Sequence, residues 1–110
     1  MADLVQMYNA AEKLKDSGKL DESVALLNEL LAVESTHVLS HLTLARIYTL
    51  QKKFDLAIEH SRKACELEPA EAFNFTAMSV TYQRTYAGTG DTKYIQLAED
   101  AMARAHQLQG

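Results

Sequence analysis

The sequence predicts an all-α fold built from three antiparallel helical hairpins. Apolar residues recur mainly at i+3, i+4 and i+7, the spacing that lines one face of a helix, and residues 38–50 show it most clearly. The chain has only one proline and four glycines among 110 residues, a scarcity that favours helices. The apolar pattern also repeats every 34 residues, so we expect successive copies of one helical unit.

Six helices follow from the places where the apolar periodicity is interrupted. Gly18 suits the left-handed position after a helix end, and Pro69 suits the first turn of a new helix, where a missing N–H costs nothing. All the connections are short, so consecutive helices are expected to be antiparallel neighbours. The predicted helices are 3–16, 20–33, 37–51, 54–68, 70–87 and 92–108.

The repeat can be followed position by position. When the chain is shifted by 34 residues, Leu14 aligns with Tyr48 and Tyr48 aligns with Tyr82. The length of 110 residues predicts that the repeats form one domain spanning residues 1–110. The three repeats are approximately residues 4–37, 38–71 and 72–110.

The middle repeat resembles the tetratricopeptide repeat. That family has a bulky residue, a Leu followed by Gly or Ala, a Tyr, an aromatic residue, two Ala and a Pro at fixed offsets. The corresponding residues here are His41, Leu44, Ala45, Tyr48, Phe54, Ala57, Ala64 and Pro69. Only His41 departs from the pattern, because that position is usually large and apolar. The resemblance implies an α-α superhelix, a right-handed solenoid of stacked hairpins.

The third repeat departs from the 34-residue period. It begins in phase at Tyr82, but Ala98 matches the middle repeat only at a shift of 41, which implies a 7-residue insertion. Seven residues make about two helical turns, so we expect one additional turn in each helix of this hairpin. Gly88 is expected to end the fifth helix, and Asp91 or Thr92 to cap the sixth.

The resemblance further implies that the first helix of each hairpin faces a concave groove, which could hold an extended peptide or an amphipathic helix of a partner. Several expected groove residues are large and apolar, which favours an interaction site, although packing between repeats is the alternative explanation. The residues expected on the groove are Val5, Tyr8, Asn9, Glu12, Leu39, Leu42, Thr43, Arg46, Phe73, Thr76, Ala77, Val80 and Gln83, together with Lys15 and Thr49.

One activity of the family can be compared residue by residue. Its co-chaperone members bind the C-terminal carboxylate of heat-shock proteins through Lys, Arg and Asn side chains. The five corresponding positions are Tyr8, Glu12, Thr43, Phe73 and Ala77. None of them is basic, and Glu12 would repel a carboxylate, so the sequence argues against this co-chaperone activity.

The amino-acid composition predicts where the protein is located and which class of partner it does not bind. The net charge of −4 and the absence of a Lys or Arg run argue against nucleic acid, including an RNA-reading helical repeat. The cluster of Tyr82, Tyr86 and Tyr94 is better explained as hairpin packing than as a base-stacking platform. One cysteine, no secretory signal and no apolar run of about 20 residues predict a soluble, cytoplasmic protein without membrane insertion.

No catalytic or cofactor motif is evident, so we expect no enzyme and no cofactor. His37 and His41 are spaced i,i+4 but lack a third ligand at a suitable spacing, which argues against a metal site. Cys65 is expected on a buried helix face, where a thiol is inert. The glycine-rich residues 88–91 lack the Lys-Ser/Thr that completes a phosphate-binding loop.

Two function classes remain open. The favoured one is an adaptor or scaffold that binds another protein in the groove. The alternative is a self-assembling, homo-oligomeric scaffold. The first helix carries Leu4, Val5, Met7 and Tyr8 with little expected cover, so it could pair with a second copy in a homodimer.

Overall fold

The computed structural model describes residues 3–110, and within that range the chain forms six α-helices and no strand. The helices are α1 (Leu4–Asp16), α2 (Leu20–Val33), α3 (Val38–Leu50), α4 (Phe54–Leu67), α5 (Ala72–Thr89) and α6 (Lys93–Gln109). The predicted all-α fold is confirmed, and each helix boundary lies within about two residues of its predicted place.

The helices pair into three hairpins that stack in chain order. α1 packs on α2, α3 on α4, and α5 on α6, while α3 also contacts both α1 and α5. In the described part of the chain α1 and α5 make no contact, so α3 lies between them. The odd-numbered helices therefore form one wall of a molecule that measures 42 × 31 × 20 Å.

Small residues allow the helices of each hairpin to approach closely. Ala11, Ala45 and Ala57 are almost fully buried. Two further small positions carry serine, and both hydroxyls are satisfied. Ser23 donates its Oγ–H to the Ala11 carbonyl at 2.7 Å, and Ser79 donates its own to a carbonyl of α6 at 2.7 Å. A buried hydroxyl with a partner costs little, which explains how serine replaces alanine at a crossing point.

The third hairpin is longer, as the seven-residue insertion predicts. α5 has 18 residues and α6 has 17, whereas the first and second helices of the other hairpins have 13 and 14. The prediction that Gly88 ends α5 is wrong, because the helix continues to Thr89. Gly90, with φ of 72°, takes the left-handed position and donates its N–H to the Tyr86 carbonyl. Asp91 caps α6 by accepting the N–H of Lys93 at 3.1 Å.

Two other residues are predicted to lie at helix ends, and the structure confirms one of these predictions. Gly18 has φ of 81° just after α1, as expected. Pro69, in contrast, lies in the turn after α4 and not in the first turn of α5. α5 starts later because the Glu71 side chain accepts the N–H of Phe73 at 3.2 Å and so caps the helix at that point.

His41, the residue that departs from the repeat pattern, is buried but fully hydrogen-bonded. Its Nε2 lies 2.9 Å from the Ser35 carbonyl, and its Nδ1 lies 3.0 Å from Nδ1 of His60 on α4. A carbonyl only accepts, so Nε2 of His41 carries the proton and its Nδ1 accepts one from His60. The pair connects α3 to α4 and to the turn before α3.

Candidate interaction groove

A groove of about 460 Å³ runs along the wall formed by α1, α3 and α5. The helices present one face each because the 34-residue repeat returns equivalent residues to the same phase. The lining residues are Tyr8, Glu12 and Lys15 of α1, Leu39, Leu42, Thr43, Ala45, Arg46, Thr49 and Leu50 of α3, Ser61 of α4, and Phe73, Thr76, Ala77, Val80, Thr81 and Arg84 of α5.

Most of the residues expected on the groove are brought together there, but three are not. Val5 and Asn9 are exposed on α1 outside the groove, since α1 is the last helix at that end of the wall. Gln83 donates its Nε2–H to Ser79 at 3.2 Å and lines a second cleft, between α5 and α6. The shape of the wall, and not the repeat phase alone, therefore decides which residues face the groove.

Sequence reasoning missed the far end of the groove, where Leu50 and Arg84 lie. These two residues are 34 positions apart, so they occupy equivalent places on α3 and α5. Each is one helical turn beyond an expected pair, Arg46 and Val80. Extending the repeat phase by one turn, as the longer third hairpin already suggests, would have found them.

Large apolar side chains are exposed in the groove. Leu39 is 52% exposed and Phe73 is 61% exposed, and both lie in the first turn of their helices. Leu50 and Val80 are exposed along the same wall. The exposed surface of Leu39 and Phe73 is not covered by the described chain, whereas Tyr8 and Leu42 are half-buried, so packing between repeats accounts for only part of this apolar set.

A polar network occupies the α1 side of the groove. Tyr8 donates its hydroxyl hydrogen to Glu12 at 2.7 Å, and the hydroxyl of Thr43 donates to the same carboxylate oxygen at 3.0 Å. The other oxygen of Glu12 pairs with the ammonium of Lys15 at 2.8 Å. The network joins α1 to α3, because Tyr8 and Thr43 are also 2.9 Å apart.

This environment changes the acidity of two groups. Burial raises the pKa of Tyr8 to about 12, and the neighbouring Glu12 carboxylate adds to the rise while the hydrogen bond with Thr43 opposes it. Burial alone would raise the pKa of Glu12, but hydrogen bonds from Lys15, Tyr8 and Thr43 outweigh it and lower that pKa. Near neutral pH, Tyr8 is therefore a neutral donor and Glu12 a carboxylate.

The other residues singled out in the sequence have structural partners. His37 hydrogen-bonds through Nδ1 to Ser40 at 2.7 Å, so it and His41 bind different groups. Cys65 is buried, and burial raises the pKa of its thiol to about 11, which disfavours the reactive thiolate. In residues 3–110 no three His, Cys, Asp or Glu side chains are grouped as a metal site requires.

The tyrosine cluster divides between two environments. Tyr82 is buried and its ring stacks on Tyr94, with 6.1 Å between centroids, so these two pack α5 against α6. Tyr86 instead lines the second cleft and is 38% exposed.

None of the helices in the described part of the chain combines the length and hydrophobicity that crossing a membrane requires.

Comparison with solved structures shows the same fold in other proteins. MamA superposes with a TM-score of 0.80 at 15% identity, over 97% of this chain and 58% of that one. A fragment of MamA from Desulfovibrio magneticus RS-1, from residue 41 to its end, gives a TM-score of 0.65 at 15% identity, over 96% of this chain and 71% of the fragment. This chain therefore spans little more than half of the first structure.

A secretion chaperone shares the fold as well. SycD, the type III secretion translocator chaperone of Yersinia enterocolitica, in a structure described as an alternative dimer, gives a TM-score of 0.66 at 14% identity. The match covers 96% of this chain and 91% of SycD.

The comparison of sequences adds the repeat itself. A search of curated proteins finds no match. The profile of the tetratricopeptide repeat family matches residues 39–71, which are the middle repeat recognised from its spacing. The match covers the middle repeat alone, so residues 39–71 are similar to a tetratricopeptide repeat, and the solved structures show that the three-hairpin fold occurs in other proteins.

Proposed function

We propose that this chain is an adaptor, not an enzyme, which binds a segment of another protein in the groove between α1, α3 and α5. The observation that carries the proposal is the exposure of Leu39 and Phe73 within one concavity. An apolar patch of this kind on a soluble chain usually marks an interaction site. We also propose that the three repeats act as one domain, and the contacts of α3 with both neighbouring hairpins support this proposal.

The groove is poorly suited to the carboxylate clamp of the co-chaperones. Glu12 stands at a clamp position as a carboxylate, and its partner Lys15 is already occupied with it. Phe73 and Ala77 offer no charge at two further clamp positions. We therefore expect no micromolar binding of a peptide that ends in Glu-Glu-Val-Asp, and isothermal titration calorimetry tests this expectation.

The groove itself is tested by placing charge on its apolar end. Leu39→Asp combined with Phe73→Asp should abolish capture of the partner from an extract of the source cells, because a buried carboxylate without a partner is costly at an interface. Both side chains are more than half exposed, so the helical circular-dichroism signal should not change. Captured proteins would be identified by mass spectrometry.

The matched control is Val33→Asp, which changes an exposed apolar residue of α2 that does not line the groove. A partner held by the groove is retained by this control and by the wild type, and is lost only from the double variant. If the folded double variant still captures the same protein, the groove is not the binding site.

A second candidate function is self-assembly, which the cleft between α5 and α6 favours. This cleft has a volume of about 340 Å³ and lies on one face of the third hairpin. The equivalent face of the first hairpin is covered by α3, and that of the second hairpin is covered by α5. Its exposed residues include Tyr86 and Ile95. A helix of a second copy would bury them, and SycD is described as a dimer.

Sedimentation velocity across protein concentration distinguishes the two functions. A chain that remains monomeric at high concentration is not a self-assembling scaffold, and this result favours the adaptor. If the chain instead associates, Tyr86→Asp with Ile95→Asp should restore the monomer, whereas Leu39→Asp with Phe73→Asp should leave the association unchanged.

A further inference from the structure

Charge and hydrophobicity are distributed unevenly along the groove. The apolar end is formed by Leu39 and Phe73, each the second residue of its helix. Towards the other ends of the same helices the groove is lined by Arg46 and Arg84, next to the exposed Leu50, so only this end combines apolar surface with unpaired charge. With a rise of 1.5 Å per residue, Arg46 lies about 10 Å along α3 from Leu39, and Arg84 about 16 Å along α5 from Phe73.

The charges contributed by α1 neutralise one another. The carboxylate of Glu12 pairs with Lys15 at 2.8 Å and also accepts two hydroxyl hydrogen bonds. Lys15 additionally lies 3.7 Å from the carboxylate of Asp16, just outside the groove. The α1 wall therefore has little charge left to offer to a ligand.

The two arginines, in contrast, have no ion-pair partner among residues 3–110. Of the four charged residues that line the groove, Glu12 and Lys15 cancel, so Arg46 and Arg84 leave it positive. The whole chain carries a net charge of −4, so this positive groove is a local exception. An unpaired guanidinium in a concavity binds carboxylates strongly, because its planar fork matches their two oxygens.

We propose that the segment bound in the groove is acidic as well as apolar, and that it binds in a single orientation along the groove. Its apolar side chains cover Leu39 and Phe73, and its Asp or Glu side chains meet Arg46 and Arg84. This inference rests on the groove being the binding site, and it adds the chemistry and orientation of the ligand. The separations along α3 and α5 correspond to about three and five residues of an extended peptide, or about seven and eleven of a helix.

The net negative charge of the chain makes an acidic protein segment a better occupant than a polynucleotide. Nucleic acid presents charge along its whole length, so the chain's net charge of −4 opposes its binding beyond the two arginines. A short segment with one or two carboxylates places its charge only at the arginines and leaves its apolar side chains for Leu39 and Phe73.

The test uses a phage-displayed library of random peptides of about sixteen residues, which is long enough for either spacing. Peptides are selected on the intact chain. Those retained should carry apolar residues together with Asp or Glu at the stated separations, always in the same order. Synthetic copies are then measured by fluorescence anisotropy against wild-type protein and Arg46→Glu/Arg84→Glu.

The double charge reversal should weaken the selected peptides about tenfold or more, and raising the salt concentration should weaken them on the wild type. The matched control, Arg62→Glu/Lys63→Glu, changes the net charge equally on the exposed side of α4, outside the groove. It should bind the peptides nearly as the wild type does. Circular dichroism confirms that both variants are folded.

The outcomes separate this inference from the function on which it rests. Loss of peptide binding in Leu39→Asp/Phe73→Asp supports the groove as the binding site. If those peptides contain no excess of Asp or Glu, or if they bind Arg46→Glu/Arg84→Glu as tightly as the wild type, the proposal of an acidic ligand is wrong. Peptides that bind all variants equally, or a selection that enriches none, contradict both.

Discussion

At the scale of single residues, one glycine sets how closely two hairpins approach. Gly88 lies inside α5, and a Cβ at this position would be 2.6 Å from Cε2 of Phe54 and closer still to Cζ. The ring of Phe54, at the start of α4, therefore lies directly against the backbone of α5. Glycine normally weakens a helix interior, and here the close approach explains its presence.

We expect Gly88→Ala to destabilise the protein by about 1–3 kcal/mol, because the added methyl group overlaps the Phe54 ring. Urea denaturation followed by circular dichroism measures the change. In a Phe54→Leu background the ring is absent, so the same substitution should stabilise the helix by about 1 kcal/mol through its higher helix propensity. Equal effects in both backgrounds would show that the Phe54 contact is not the cause.

The Tyr8 hydroxyl is the other single group with a measurable signature. Its pKa is higher in the folded chain than the ordinary value of 10.0, so folding favours the neutral phenol. The stability that this site contributes is therefore fully present below pH 10.0. It is lost as the pH rises from 10.0 towards 12, because the Tyr8 hydroxyl ionises at a lower pH in the unfolded chain than in the folded chain.

Tyr8→Phe should lower stability near neutral pH by about 0.5–1.5 kcal/mol, because the Glu12 carboxylate loses a hydrogen-bond donor. It should also lose less stability than the wild type as the pH rises above 10.0. Urea midpoints measured for both proteins across this range provide the comparison. A parallel decline in the two proteins would contradict the role given to Tyr8.

At the scale of helices, the contact between His41 and His60 joins α3 to α4. Their Nδ1 atoms are 3.0 Å apart, and the ring of His60 also stacks on Tyr48. Burial lowers the pKa of His60, the neighbouring His41 lowers it further because two protonated rings would repel each other, and Glu59 partly opposes the shift. The folded chain thus favours the neutral imidazole.

The unfolded chain takes up a proton at His60 as the pH falls through about 6.5, whereas the folded chain resists it. Stability contributed by this site is therefore present above that pH and is lost progressively below it. We expect the urea midpoint of the wild type to fall more steeply with acidification than that of His60→Phe, which keeps a ring at this position. If both fall in parallel, the histidine contact does not cause the acid sensitivity.

At the scale of the whole molecule, stability depends on neighbouring hairpins. The middle hairpin is covered on both sides, since α3 contacts α1 and α5 and α4 contacts α5. The end hairpins each have one covered side. In such a linear array, opening begins at the ends, where fewer interfaces are lost.

Hydrogen exchange followed by mass spectrometry should therefore show the strongest amide protection in α3 and α4. Peptides from α1 and α6 should exchange faster, with α2 and α5 between these limits. A self-assembled form would instead protect the ends, so the same measurement at high protein concentration adds a test of that alternative. Strongest protection at α1 or α6 in the monomer would contradict the array.

The sequence by itself determined the repeat and most of the helix boundaries, because helical periodicity and short connections are local properties that neighbouring residues encode. It also located most of the groove, since a fixed repeat returns residues such as Leu39 and Phe73 to one phase. The length of the third hairpin followed from counting residues.

Only the tertiary structure decided which side chains meet across helices. The pairing of His41 with His60, the contact of Gly88 with Phe54 and the turn of Gln83 towards the second cleft depend on distances between elements that are far apart in the chain. The hydrogen bond from Thr43 of α3 to Glu12 of α1 is of the same kind. Repeat phase specifies a direction around a helix, but burial and pairing depend on what the neighbouring helix places there.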